Sequence, residues 1–268
     1  MIKPVTKRRS LGLYLWAGGL LGWVGLAMAD VWDPADDSQF LTANELVHGS
    51  EQIHELGPGM GPGGRDFDFY RIGERPLGSY EVVVDGVTND ISAALSLQRW
   101  NPAGPVQTAQ TTSGVTLASR SLRWQNTLNS SLATAYVRVG SGSPCIGCTS
   151  AKAAYHIRSY ETTYSVPRFN NNVTQTTLLL VQNTSDRQVN GGVHFWSTAG
   201  ALLGTSAFTL DAKQLLVQNT ASLSFAAGTT GSVTVSHDGR YGDLAGKAVA
   251  LEPATGFTFE TALTPRPR

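Results

Sequence analysis

The chain is built of short runs whose apolar residues recur at every second position between turn residues. No stretch carries apolar residues at helical spacing long enough for a substantial helix. "SYEVVVDG" alternates and closes on the Asp85-Gly86 turn pair, "ISAALSLQRW" runs to the Asn101-Pro102 break, and "ATAYVRVGSG" and "KAAYHIRSYETT" flank a cysteine-bearing loop. "TQTTLLLVQNTS", "GGVHFWSTAG", "QLLVQNT", "GSVTVSHDG", "KAVALEP" and "GFTFETAL" continue the pattern. A fully polar outer face and an apolar inner one is what a strand packed on one side needs, so the reading is all-β. Many short strands at this spacing imply antiparallel sandwiches of jelly-roll or Ig-like kind rather than a parallel α/β sheet.

Two such sandwiches are expected in succession. Pro167 and the run Asn170 to Asn172 in "TYSVPRFNNN" interrupt the pattern and leave two strand-rich halves, each of ordinary domain size and long enough to bury a core without disulfides. The division is residues 1–29 as a leader, 30–43 as a linker, 44–163 as the first sandwich and 164–268 as the second. "LLVQNT" occurs at Leu179 to Thr184 and again at Leu215 to Thr220. Six residues are too few for a duplicated unit, and a strand ending in an Asn-Thr turn explains both copies.

The leader reading rests on "MIKPVTKRRSLGLYLWAGGLLGWVGLAMAD". Lys3, Lys7, Arg8 and Arg9 precede an apolar segment from Leu11 to Leu26, and Ala27-Met28-Ala29 offers a small-x-small cleavage site before Asp30. A retained membrane anchor is the rival, although glycines dilute the apolar segment. The pair Arg8-Arg9 matches a twin-arginine signal only in part, and Asp30 offers no cysteine for a lipid. Of 20 basic residues in the chain the leader holds four and no acid, so cleavage leaves 16 against 20 acidic, a net charge of −4. No basic cluster then remains to release counterions from phosphates, which argues against a nucleic-acid partner. No membrane span is expected after cleavage. The expected location is the periplasm, the cell surface or the medium.

The order of segments from Asn44 to Thr163 carries a family likeness. Asp66-Phe67-Asp68-Phe69-Tyr70 is followed by Gly78 to Val84, by Leu95 to Gly104, and by Tyr136 to Val139 with Tyr155 to Arg158. This succession resembles the bacterial pre-peptidase C-terminal domain, a secreted β-sandwich that accompanies extracellular proteases and is related to the collagen-binding domains of collagenases. The resemblance implies a non-catalytic binding role, and calcium near the acid-rich segment in some members. No peptidase accompanies it here, since H-E-x-x-H, G-x-S-x-G and cysteine-protease signatures are absent from the sequence. The second half is loosely like the Ig-like sandwiches of uncharacterised bacterial secreted proteins.

Several residues are candidates for chemistry. Cys145-Ile146-Gly147-Cys148 has Thr149 where haem attachment needs histidine, and no second cysteine pair for structural zinc. Its setting between "GSGSP" and "TSAK" is a hairpin loop rather than a helix N-terminus, so in an exported chain a local disulfide is expected, worth no more than about 2 kcal/mol. His48 and His54, six apart, fall about 20 Å from each other on an extended strand and cannot share a metal unless the chain folds back. His156, His194 and His237 are dispersed, each expected as a surface or capped imidazole. Trp100 and Trp124 are the candidates for stacking on a sugar ring or peptide, with core packing as the alternative for each.

Asp66 and Asp68 alternate with Phe67 and Phe69, so a strand here turns the two carboxylates to one side and the rings to the other, expected to be the core. The acid face is either a calcium site, completed by carbonyls of "GPGMGPGG" or by Glu51, Glu55 and Asp85, or a solvated face beside Arg65 and Arg71. Acids so close on one strand do not suit inverting glycoside chemistry. The functional expectation is therefore a non-enzymatic binding or adhesion module for an extracellular protein, peptide or glycan. The alternative is a structural subunit that self-assembles through strand edges.

Overall fold

The computed structural model describes residues 37–56, 66–87, 95–111, 119–141, 154–172 and 174–268. The leader, the glycine-rich run before Asp66 and the Cys145–Cys148 loop lie outside the described residues. The fold is all-β and antiparallel, with no α-helix among the described residues. Among the described residues nine strands precede Tyr164: β1 Glu51–Glu55, β2 Phe67–Glu74, β3 Ser79–Asp85, β4 Leu95–Asn101, β5 Gly104–Thr108, β6 Gln110–Thr111, β7 Arg120–Gln125, β8 Ala133–Ser141 and β9 Ala154–Glu161. They form two sheets, ordered β1-β9-β3-β7-β6 and β2-β8-β4-β5. Tyr80, Val82 and Val84 of β3, Val137 and Val139 of β8, and Tyr155 and Ile157 of β9 meet between them in one core.

The later strands build a second pair of sheets around a separate core of Val166, Phe169, Leu179, Val181, Phe195 and Val235, among others. These strands are β10 Tyr164–Asn170, β11 Thr176–Asn183, β12 Val189–Ser197, β13 Leu202–Leu210, β14 Leu215–Asn219, β15 Thr230–His237, β16 Leu244–Glu252, β17 Phe257–Ala262 and β18 Thr264–Pro265. The sheets run β13-β12-β15-β10-β18 and β14-β11-β16-β17. Both copies of "LLVQNT" are strand endings, paired with each other as β11 and β14. Close approach of β15 to β12 requires Gly231, where a Cβ would collide with the Trp196 carbonyl oxygen.

Three expectations change. "TYSVPRFN" is a strand, β10, rather than a break. Pro167 sits in a register shift between Val166 and Phe169, and β18 pairs only with Tyr164 and Ser165, so the missing proline N–H falls on a sheet edge. The expected linker is built into the first sandwich from Asp37 onward: Phe69 N–H donates to the Asp37 carbonyl (2.6 Å), and just past the linker Arg71 N–H donates to that of Asn44 (2.9 Å), covering the edge of β2.

The third change reverses the faces of β2. Asp68, Tyr70 and Ile72 stand opposite Val139, Val137 and Ala135 and point into the core. Phe67 and Phe69 lie on the outer side, where Phe40 meets Phe69 edge-on (6.1 Å) and Arg138 covers Phe67 (4.4 Å). A strand that is apolar on one face and charged on the other fixes the alternation. It does not fix which face goes inward once hydroxyls inside the core can hold a carboxylate.

Candidate functional site

The inward turn of Asp68 is explained by the phenols that meet it. Tyr155 donates to Asp68 Oδ2, and the Tyr155 and Tyr70 hydroxyls are 2.6 Å apart. Burial, with Asp68 and Tyr70 alongside, raises the Tyr155 phenol well above its ordinary range, so it remains a donor. His54 of β1 stacks on Tyr155 (5.9 Å) and meets Tyr70 edge-on (5.1 Å). Its Nε2 lies 2.9 Å from Gln52 Oε1, and its Nδ1 is 3.8 Å from Asp37. Asp66 precedes β2, and its Oδ1 accepts from the Phe67 N–H (3.0 Å). A hard cation takes six to eight oxygens. Among the described residues no group of three His, Cys, Asp or Glu side chains is placed to hold a metal ion, and the expected carbonyl donors of the glycine-rich run lie outside the described residues. What this arrangement does chemically is hold a carboxylate inside a core.

The two tryptophans separate. Trp124 of β7 is buried: it stacks on Tyr80 (5.7 Å), lies under the Arg99 guanidinium (5.3 Å) and donates its Nε1–H to Glu74, which leaves no face for a ligand. The bland alternative, core packing, describes it. Trp100 of β4 is half-buried between Arg138 (4.1 Å) and Phe69 (5.7 Å), with its Nε1–H on Gln98 (3.1 Å). Cys145 and Cys148 lie outside the described residues.

His48, His194 and His237 converge where the sandwiches meet, whereas His156 stays on β9 beside Glu51 (3.4 Å). His237 Nε2 donates to the Thr162 carbonyl (3.0 Å) while its Nδ1 accepts from Gly239 N–H (3.1 Å), so the ring is neutral and spans the junction. Ser236 donates to Gln125 (2.9 Å) and lies 2.8 Å from His194 Nε2. His48 accepts at Nδ1 from Glu161 N–H (2.7 Å) and donates from Nε2 to the Pro267 carbonyl (2.7 Å). Arg266 reaches Glu161 (2.9 Å), and Arg268 lies over Tyr160 (4.7 Å) and Tyr241 (4.4 Å). A cavity of about 380 Å³ at this junction is lined by Trp196 and by Arg75, Glu161 and Arg266, and the two arginines already pair with Glu161. His194 and His237 are thus buried rather than at the surface, and are capped as the other alternative had it, because each finds fixed partners that suit an uncharged ring.

The two sides of the second sandwich differ. Where β14 faces β13, Gln218 donates to Ser206 (2.9 Å) across the gap, and Leu203, Leu216 and Phe225 pack against the core. That side is closed. Where β17 faces β10, the sheets stand apart around an apolar cleft of about 320 Å³, lined by Ala248 and Ala250 of β16, Phe257, Phe259 and Thr261 of β17, and Arg168 of β10. Phe257 is 68% exposed and Phe259 65%, unusual for rings on a strand. Arg168 is exposed and has no carboxylate partner among the described residues.

No described strand pairs with the far side of β17. The phase of its hydrogen bonds follows from Leu263 N–H donating to the Gly246 carbonyl (3.0 Å). In an antiparallel ladder alternate residues bond inward, so Phe257, Phe259 and Thr261 are tied to β16 while Thr258, Glu260 and Ala262 direct N–H and C=O outward. Three other margins are blunted, that of β10 beyond Ser165 by Pro167 and its bulge, that of β5 by Pro105 and that of β1 by Glu51 and Glu55. The alternation of "GFTFETAL" gave the strand in advance, but its position at an unblunted edge depends on sheet order.

No family model and no curated protein matches the chain. Among solved structures it is similar to Bacteroides uniformis beta-glucuronidase at 10% identity, with TM-score 0.20, covering 74% of this chain and 26% of that one. A calcium-binding mutant of Bacteroides uniformis beta-glucuronidase 2 gives 12% identity and TM-score 0.19, covering 74% of this chain and 26% of that one. A beta-glucuronidase from glycoside hydrolase family 2 gives 10% and 0.18, covering 75% and 24%. The chain spans about a quarter of the length of each, and superposition at this level carries nothing about fold or activity.

Proposed function

We propose that the chain is an exported, non-catalytic binding module acting at or outside the cell envelope, and that it takes an extended polypeptide along β17. The leader-like N-terminus supports export, and the segment order from Asn44 to Thr163 supports a first sandwich of pre-peptidase C-terminal type. In that compartment Cys145 and Cys148 close a local disulfide. The observation that carries the reading is the outward row of Thr258, Glu260 and Ala262 beside the two exposed phenylalanines. An added strand gains main-chain hydrogen bonds from the row and lays alternate side chains over the cleft, the physics of β-augmentation. The second reading, a structural or assembly subunit, draws on the same edge.

Peptide and glycan arrays probed with the mature chain and with Thr258→Pro test it. Proline at 258 removes an outward N–H and leaves the ladder to β16 intact. Signal on extended peptides that the proline variant loses is the expected result. Signal on glycans alone, or on peptides regardless of residue 258, contradicts the assignment.

A further inference from the structure

We infer that the strand β17 accepts is β17 of a second copy of the chain, forming a two-fold antiparallel pair. The inference rests on β17 being a strand acceptor. Across a new ladder an outward-bonding residue must stand opposite another outward-bonding residue, so Thr258, Glu260 and Ala262 pair among themselves. Four central registers satisfy this. Centring on Glu260 sets two carboxylates opposite each other, which is repulsive, and centring on Thr258 or on Thr261 shortens the overlap. Centring on Phe259 places Thr258 opposite Glu260 of the second copy and the reverse, so their backbone groups exchange hydrogen bonds with no like charges apposed. Phe259 then meets its own counterpart in the close, non-hydrogen-bonded position, and Phe257 meets Thr261.

Charge favours this occupant. Lys247 already holds Glu260 (2.7 Å), so the edge presents no net charge to its own image. The same register is an isologous interface that closes as a dimer.

Sedimentation velocity of the mature chain over a wide concentration range decides the matter, run on the wild type, Thr258→Pro and the double variant Phe257→Lys, Phe259→Lys. The wild type is expected to pass from monomer to dimer with concentration, and both variants to remain monomeric with wild-type far-ultraviolet circular dichroism. The lysine pair keeps the test valid if the proline variant does not fold, since both rings are exposed. A wild type that is monomeric throughout, a dimer that the folded variants retain, or assembly beyond the dimer overturns the pairing. If a monomeric wild type still binds extended peptides in a way that Thr258→Pro abolishes, the strand-acceptor reading stands and only self-pairing fails.

Discussion

At the scale of single residues, the chain stabilises its polar interior by pairing rather than exposure. Asp68 is held inside the first core by Tyr155, and that hydroxyl bridges to Tyr70. Tyr155→Phe removes the bridge and is expected to lower stability by about 2 kcal/mol in urea titration. Calcium is expected to leave the melting temperature unchanged, and a calcium-dependent rise abolished by Asp68→Asn would contradict the core assignment. Gly231→Ala forces a methyl group toward the Trp196 carbonyl and is expected to cost about 3 kcal/mol, read in the same titration. Residue identity alone did not reveal these environments. Trp124 beside Arg123 and Gln125 looks exposed in sequence, yet it is buried because Glu74, on another sheet, accepts its indole proton.

At the scale of elements, alternation and turn chemistry specified most strands, and sheet order specified what they do. "SYEVVVDG", "ATAYVRVGSG" and "GFTFETAL" are β3, β8 and β17. The inward face of β2 was not legible, because a period of two gives the spacing of a face and not its direction. Nor was the strand nature of "TYSVPRFN", since a proline that breaks a central strand is accommodated at an edge. The open cleft depends on β17 and β10 lying at edges of facing sheets, a relation between segments about 90 residues apart in the chain. Thr258→Pro is expected to change thermal stability little while removing strand addition, because its N–H is directed away from β16.

At the scale of the whole molecule, the two sandwiches are joined by neutral histidines. Burial draws His237 down to about 4, with Asp243 and Asp238 opposing and Arg123 assisting, and burial draws His194 to about 4. An unfolded histidine titrates near 6.5. The unfolded chain therefore binds protons that the folded junction refuses, so the contribution is fully present above about pH 6.5 and is lost as pH falls toward 4. For His237 alone the loss amounts to about 3 kcal/mol. Calorimetry is expected to show a single transition near neutrality and a separating pair near pH 5, with a weaker pH dependence in His237→Gln.

The account turns on whether β17 is an edge that receives a strand. Hydrogen–deuterium exchange resolved to single amides, at low and high protein concentration, measures this directly. Concentration-dependent protection of Thr258 and Glu260, with Phe257 and Phe259 protected throughout by β16, is the predicted result; Thr258 and Glu260 amides that exchange freely at every concentration, and equally freely with array-selected peptides added, would contradict it.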